Sequence, residues 1–234
     1  MKILAIDTSA VTASAAILED GALITATELR SKMTHSQTIL PMVEDMLKNA
    51  ALWLKDIDVA AVNVGPGSFT GVRIGVAAVK GLCFADAIPC VAVSTLESMA
   101  YNFIGLPQKQ TVCAVMDARC GQVYTALFEV GESVARLTPD QAISIEELGK
   151  SLKNLEKAVI LVGDGAKLCY TTLGNVVPNL HIAPDHLRYQ NAVGVAAAAY
   201  RSDKRCDAAA LQPVYLRLPQ AERELKAKQA EQKK

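Results

Sequence analysis

"ILAIDTSAVTASAAILEDG", residues 3–21, and "CAVMDARCGQVYTALFEVG", residues 113–131, align without a gap at a constant offset of 110. Asp7 falls on Asp117, Glu19 on Glu129 and Gly21 on Gly131. In each copy an apolar strand ends at an aspartate and turns. It then re-enters a second strand, "ASAAIL" or "VYTALF", that closes near a glycine. Self-similarity at a fixed spacing marks a duplicated unit, and here it marks a chain built from two related lobes.

Working outward, each hairpin is followed by a third strand, "LITATEL" in the first copy and "SVARLT" in the second. Helices come next. "HSQTILPMVEDMLKNA" places Ile39, Met42, Val43, Met46 and Leu47 on one helical stripe. "SIEELGKSLKN" sets Ser144 three residues before Glu147, the capping-box spacing that starts a helix. Further strands are predicted in "DIDVAAVNV", "IPCVAVS" and "AVILVGDGA". The alternation predicts an α/β chain of two lobes, each a mixed sheet led by a β-hairpin and flanked by helices. The first lobe is expected over residues 1–105 and the second over 106–218, with the break in "YNFIGLPQKQ". A helix over residues 191–203 can cross back to the first lobe. The charged tail 219–234, "PQAERELKAKQAEQKK", reads as a solvated segment.

A chain of 234 residues suits two lobes. It is 51% hydrophobic and 21% charged, an ordinary globular balance. Its 24 basic residues match 24 acidic ones, so no general excess of positive charge points to a nucleic-acid backbone. The N-terminal apolar run is cut off at Asp7, too short for a secretory signal. No apolar run approaches the roughly 20 residues of a membrane span, and a cytoplasmic protein is expected. The six cysteines form no C-x-x-C pair and read as reduced thiols, most of them buried.

"NVGPGSFTGVRIGVAAVKG", residues 63–81, packs five glycines around a helical apolar run. Gly65, Pro66 and Gly67 make a tight turn, Ser68 or Thr70 caps the helix, and its first amides are open to an anion. Gly71 and Gly75 lie four apart, and Ala77 and Gly81 repeat the spacing. Each helical glycine costs about 1 kcal/mol against alanine, so close packing is expected to recover it. The loop is neither G-x-x-x-x-G-K-[ST] nor G-x-G-x-x-G, and G-x-S-x-G is missing from the chain.

The duplicated strand-Asp-turn-strand lobe resembles the actin, sugar kinase and heat-shock chaperone ATPase superfamily (ASKHA, ribonuclease H-like). The motifs "ILAIDTS", "HSQTILPMVEDML", "GPGSFTGVRIG", "STLES", "MDARCGQVY" and "PVYLR", in that order, narrow the resemblance to the bacterial TsaB (YeaZ) family. That resemblance implies a subunit of tRNA threonylcarbamoyladenosine biosynthesis that supports a TsaD-like transferase together with a TsaE-like ATPase. tRNA is then contacted indirectly if at all. The alternative in the same superfamily is an independent ATPase or a glycoprotease-like peptidase using Asp7 and Asp117.

The chemistry of the residues discriminates between the two. Catalytic relatives carry two histidines at i and i+4 on the helix after the strand matching "IPCVAVS", a spacing that lets both reach one metal. Here Thr95 and Met99 stand there, a hydroxyl and a thioether that do not replace two imidazoles. His35, His181 and His186 are scattered, and no metal ligands are expected.

For a nucleotide, Asp7, Thr8 and Ser9 would supply a carboxylate for hydrated magnesium and hydroxyls for phosphate, with Asp117 and Arg119 opposite. The second turn is Asp117, Ala118, Arg119, Cys120, where a phosphate turn wants small residues, so the clamp is degenerate and any nucleotide binding weak. ATP or ADP is left to a subunit boundary. A partner interface is expected on Ile39, Met42, Val43, Met46, Val72, Gly75, Val76 and Val79, shared by the transferase and, in its absence, by a homodimer. On that reading a charge at Val76 or Met46 breaks the complex and spares the fold.

Overall fold

The computed structural model describes residues 1–31 and 33–217. The tail 219–234 therefore lies outside the described residues. The first half runs β1 (Lys2–Asp7), β2 (Ala13–Glu19), β3 (Ala22–Leu29), α1 (His35–Asn49), β4 (Val59–Gly65), α2 (Phe69–Phe84), β5 (Cys90–Ser94) and α3 (Thr95–Ala100). The second runs β6 (Gln110–Asp117), β7 (Gln122–Val130), β8 (Val134–Arg136), β9 (Gln141–Ser144), α4 (Ile145–Lys153), β10 (Val159–Val162), α5 (Ala166–Leu173), β11 (Leu180–Ile182), α6 (Asp185–Arg188) and α7 (Ala192–Tyr200). Two mixed sheets result, ordered β3-β2-β1-β4-β5 and β11-β10-β6-β7-β8, with β9 beside β7.

The sheets follow from residue patterning. β1, β2 and β4 are buried on both faces and correspondingly read as near-continuous Ala, Val, Ile and Leu. β3 is an edge strand with alternating exposure. One face of the first sheet is covered by α1 and α2 through Ile39, Val43, Met46, Val72, Val76 and Val79. The corresponding face of the second is covered by α4 and α5. At α4 the Ser144 side chain accepts from the Glu147 amide and the Glu147 carboxylate accepts from the Ser144 amide, closing the capping box.

The remaining faces are covered by exchange. α7, late in the chain, packs on the first sheet against Ile3, Ala5, Ala16 and Leu18. α3, from before residue 105, packs on the second sheet against Val112, Ala114, Ala126 and Phe128. The two helices cross where a Cβ on Gly194 would stand 2.2 Å from the Ser98 carbonyl oxygen. The lobes are therefore stitched together by a helix given each way, and one polypeptide cut near residue 105 does not separate them.

The gapless repeat needs correction by one residue. In the second strands the offset of 110 keeps faces matched, because Ile17 and Leu127 point under the helix pairs while Leu18 and Phe128 point toward α7 and α3. In the first strands it does not. Ile3 and Ala5 face α7, whereas their aligned partners Cys113 and Val115 face α4 and α5. Pairing shows the cause: Ala5 lies opposite Ala16 but Ala114 lies opposite Ala126, so the second hairpin is one residue longer. Side chains alternate with period two, and a one-residue slip sends Asp117 to the face opposite that of Asp7.

The glycine stretch splits into two roles. A Cβ at Gly71 would sit 2.1 Å from the Thr8 carbonyl oxygen, and one at Gly75 would sit 2.6 Å from Thr8 Oγ1. These two glycines admit the turn after β1 into the surface of α2. Gly81 meets nothing within 4 Å and, with Ala77, faces outward. Gly71→Ala is expected to cost about 3 kcal/mol by overpacking against backbone. Gly81→Ala is expected to stabilise the isolated chain by about 0.5–1 kcal/mol. Urea unfolding of the two variants checks both signs.

Candidate functional site in the interlobe cleft

The two hairpin turns and the loop before α2 meet at a cleft of about 410 Å³. Ser9, Val11, Pro66, Gly67, Ser68 and Phe69 line it from the first lobe, and Asp117, Arg119, Tyr124 and Asp164 from the second. Residues 214–217 complete its wall.

Of the residues expected to hold a nucleotide, Ser9, Asp117 and Arg119 reach this cleft, while Asp7 and Thr8 lie beneath it. Asp7 is 0% exposed. Its Oδ1 accepts from the Ser9 amide at 3.0 Å and its Oδ2 has no partner. Burial pushes its carboxyl above the ordinary carboxylate value, with contacts to Ser9 and Asn63 opposing. Thr8 Oγ1 donates to the Gly71 carbonyl at 2.7 Å. The Thr8 hydroxyl proposed for phosphate is thus committed inside the first lobe and the Asp7 carboxylate proposed for hydrated magnesium is sealed from the cleft, so these two residues do not fit a magnesium nucleotide. Ser68 provides the α2 cap, accepting from the Gly71 amide at 3.2 Å, and Thr70 is exposed beside it.

Across the cleft Arg119 is 81% exposed and pairs with Asp117 at 3.5 Å. Arg119, Cys120 and Gly121 all have positive φ, of 65°, 54° and 70°. This tight turn carries one bulky side chain, Arg119, and a small one, Cys120, where a phosphate turn would carry none. Behind it Asp164 accepts from the Asp117 amide at 3.3 Å, and burial raises its carboxyl. Sequence reading passed over Asp164, Tyr124, Tyr215 and Arg217. The signal for Asp164 was the "GDG" after β10: a Cβ on Gly163 would lie 2.0 Å from the Val115 carbonyl oxygen, an approach only glycine permits.

On α3, Thr95 and Met99 are both 0% exposed and belong to the interior between the lobes. Among the described residues no group of three or more His, Cys, Asp or Glu side chains is arranged to hold a metal ion. His35 is a local contact, its Nε2 lying 2.7 Å from the Ala10 carbonyl oxygen, and His181 and His186 are exposed.

The expected partner stripe requires correction. Ile39, Val43, Met46, Val72, Val76 and Val79 are at most 4% exposed and form the first core, and Gly75 is closed by Thr8. Only Met42 is half-exposed. A charge at Val76 or Met46 would be buried unpaired and break the fold, so it cannot isolate docking. The exposed positions of the helix pair include instead Leu40, Pro41, Glu44 and Asp45 on α1 and Arg73, Ala77, Gly81 and Phe84 on α2, with Phe84 79% exposed.

Comparison with known proteins follows this geometry. A family model described as TsaD, tRNA N6-adenosine threonylcarbamoyltransferase, matches residues 29–225. The chain is 32% identical over 226 residues to the tRNA threonylcarbamoyladenosine biosynthesis protein TsaB of Bacillus subtilis, covering 95% of this chain and 96% of that one. To the TsaB of Escherichia coli it is 42% identical over 133 residues, 57% of each chain. YeaZ from Pseudomonas aeruginosa superposes with a TM-score of 0.75 at 26% identity, over 92% of this chain and 99% of that one. A chain of the PilM-PilN type IV pilus biogenesis complex shares the fold, at TM-score 0.51 and 10% identity.

The buried carboxyls set a pH dependence. A folded-state pKa raised above the unfolded value means the folded protein holds protons the unfolded chain has released. The stability of these groups is then full at about pH 4 and is lost as pH rises through the raised values. Asp7→Asn removes its share, so the variant should melt a few degrees higher than the parent at pH 7, at about 2–4 °C per kcal/mol. The gain should vanish near pH 4. Melting curves of the pair across that range check it; a variant less stable at pH 7 than at pH 4, relative to the parent, contradicts the burial argument.

Proposed function

Because the chain belongs to the TsaB family of tRNA threonylcarbamoyladenosine biosynthesis proteins, we propose that it acts there as a non-catalytic subunit that binds and activates a TsaD-like transferase, with a TsaE-like ATPase. The observation that carries this reading is the state of the two places where catalysis would reside. Thr95 and Met99 stand at the positions of the metal histidines and are sealed between the lobes. Asp7 and Thr8 are spent on packing against α2 and the β1 turn. ATP or ADP is left to a subunit boundary, and tRNA to the transferase.

A subunit without reacting groups acts through contact. The outward faces of α1 and α2 offer it, since Leu40, Ala77, Gly81 and Phe84 combine exposed apolar area with small residues that let a partner helix approach closely. The same surface serves a homodimer when the transferase is missing. No helix among the described residues is long and apolar enough to cross a membrane; a tRNA-modifying assembly of the proposed kind would work in the cytoplasm.

Reconstitution with transferase, ATPase, adenylate synthase, tRNA, threonine, bicarbonate and ATP tests the reading. Modified tRNA should require the chain, and the chain alone should neither modify tRNA nor hydrolyse ATP. Ala77→Asp and Phe84→Asp should weaken binding to the transferase about a hundredfold or more while melting like the parent. Unchanged binding by both variants removes the helix-pair surface from the proposal; ATP turnover by the chain alone restores the enzyme alternative.

A further inference from the structure

The motif "PVYLR", residues 213–217, carries part of the family resemblance but has no role in the proposed function, yet it runs across the cleft. Upstream, Cys90 and Cys206 exchange backbone hydrogen bonds of 2.8 and 2.9 Å, adding a bridge to the edge of the first sheet. Leu211 is 1% exposed and sits in the core with α2. The Val214 amide donates to the Val64 carbonyl at 2.7 Å. Gly65, at φ 121°, has no room for a side chain because a Cβ would stand 2.3 Å from the Val214 carbonyl oxygen. The Tyr215 ring rests on Phe69 with centroids 4.8 Å apart. Every anchor up to this point belongs to the first lobe.

Two residues later the partner changes lobe. Arg217 Nη1 donates to the Ala118 carbonyl, and lies 3.5 Å from the Arg119 carbonyl oxygen. These carbonyls open the turn whose next residues, Arg119 and Cys120, hold left-handed backbone that residues other than glycine adopt at a cost. Such a conformation persists where its surroundings hold it, and a guanidinium on its carbonyls is a fitting restraint.

We propose that residues 211–217 are an intramolecular latch across the cleft mouth, with Arg217 bridging the lobes. In a phosphate clamp both turns converge on an anion. Here the second turn offers carbonyl oxygens to a cation, and that cation belongs to the chain itself. The interlobe angle is thereby fixed by the polypeptide, independently of any nucleotide.

Amide hydrogen exchange of the full-length chain tests this with Arg217→Ala, Arg217→Lys and Tyr215→Ala. Arg217→Ala should speed exchange in residues 118–122 roughly tenfold, the weight of one charged hydrogen-bonded contact, with Tm lowered by no more than the few degrees such a contact is worth. Lysine, which keeps charge but loses the planar fork, should restore part of the protection. Tyr215→Ala should act in the same direction by freeing the strap from α2. Exchange in 118–122 within twofold of the parent in the Arg217→Ala protein overturns the latch. So does a change confined to 211–217, or an equal acceleration over the whole chain.

Discussion

The contact on which the rest of the molecule depends is the insertion of the turn after β1 into α2. Thr8 Oγ1 donates to the Gly71 carbonyl, and the Thr8 carbonyl and hydroxyl come so near that Gly71 and Gly75, respectively, have no room for a Cβ. Ser9 continues it by accepting from the Ser68 amide at 2.7 Å, while Ser68 caps the helix. The glycine loop therefore answers to packing. About 1 kcal/mol of helix propensity is given up at each glycine, and backbone hydrogen bonding plus burial of both surfaces offset it.

That commitment explains the character of the cleft. In an arrangement that receives phosphate, the first turn has to keep a hydroxyl and a carboxylate facing solvent. Here the hydroxyl is used inside the lobe, and the carboxylate lies where desolvation favours its neutral form. The opposite turn is displaced by a residue, so Asp117 does not mirror Asp7. The first turn shows the cleft neither the Asp7 carboxylate nor the Thr8 hydroxyl.

Much of this was legible from residues. The duplicated hairpin and the Ser144–Glu147 capping box needed only periodicity and turn chemistry. What escaped had physical reasons. An alignment by letters does not feel a one-residue lengthening of a turn, because Asp-Ala-Arg matches Asp-Thr-Ser equally well on either side of the slip. A methionine-rich stripe looks the same whether it meets a sheet or a partner; Met46 at 3% exposed and Met42 half-exposed are separated only by the neighbouring sheet. Arg217 is remote in sequence from the turn it touches, and no local pattern announces such a contact.

The helix α2 connects these findings, because its two faces carry two sets of small residues with different jobs. Gly71 and Gly75 face the β1 turn and leave no freedom, so α2 is held rigidly to the hairpin of its own lobe. Ala77 and Gly81, four apart in the same helix, face outward with open space before them. Its N-terminal end bears Phe69, on which Tyr215 stacks, and its C-terminal half packs against residues 208–210, where Lys80 Nζ reaches the Ala209 carbonyl at 3.0 Å. A partner seated on the outward face would press on an element already fastened to the cleft turn, to the strap and to the sheet. Rigid fastening of that kind transmits position without needing a ligand in the cleft, which is what the supporting role proposed above requires.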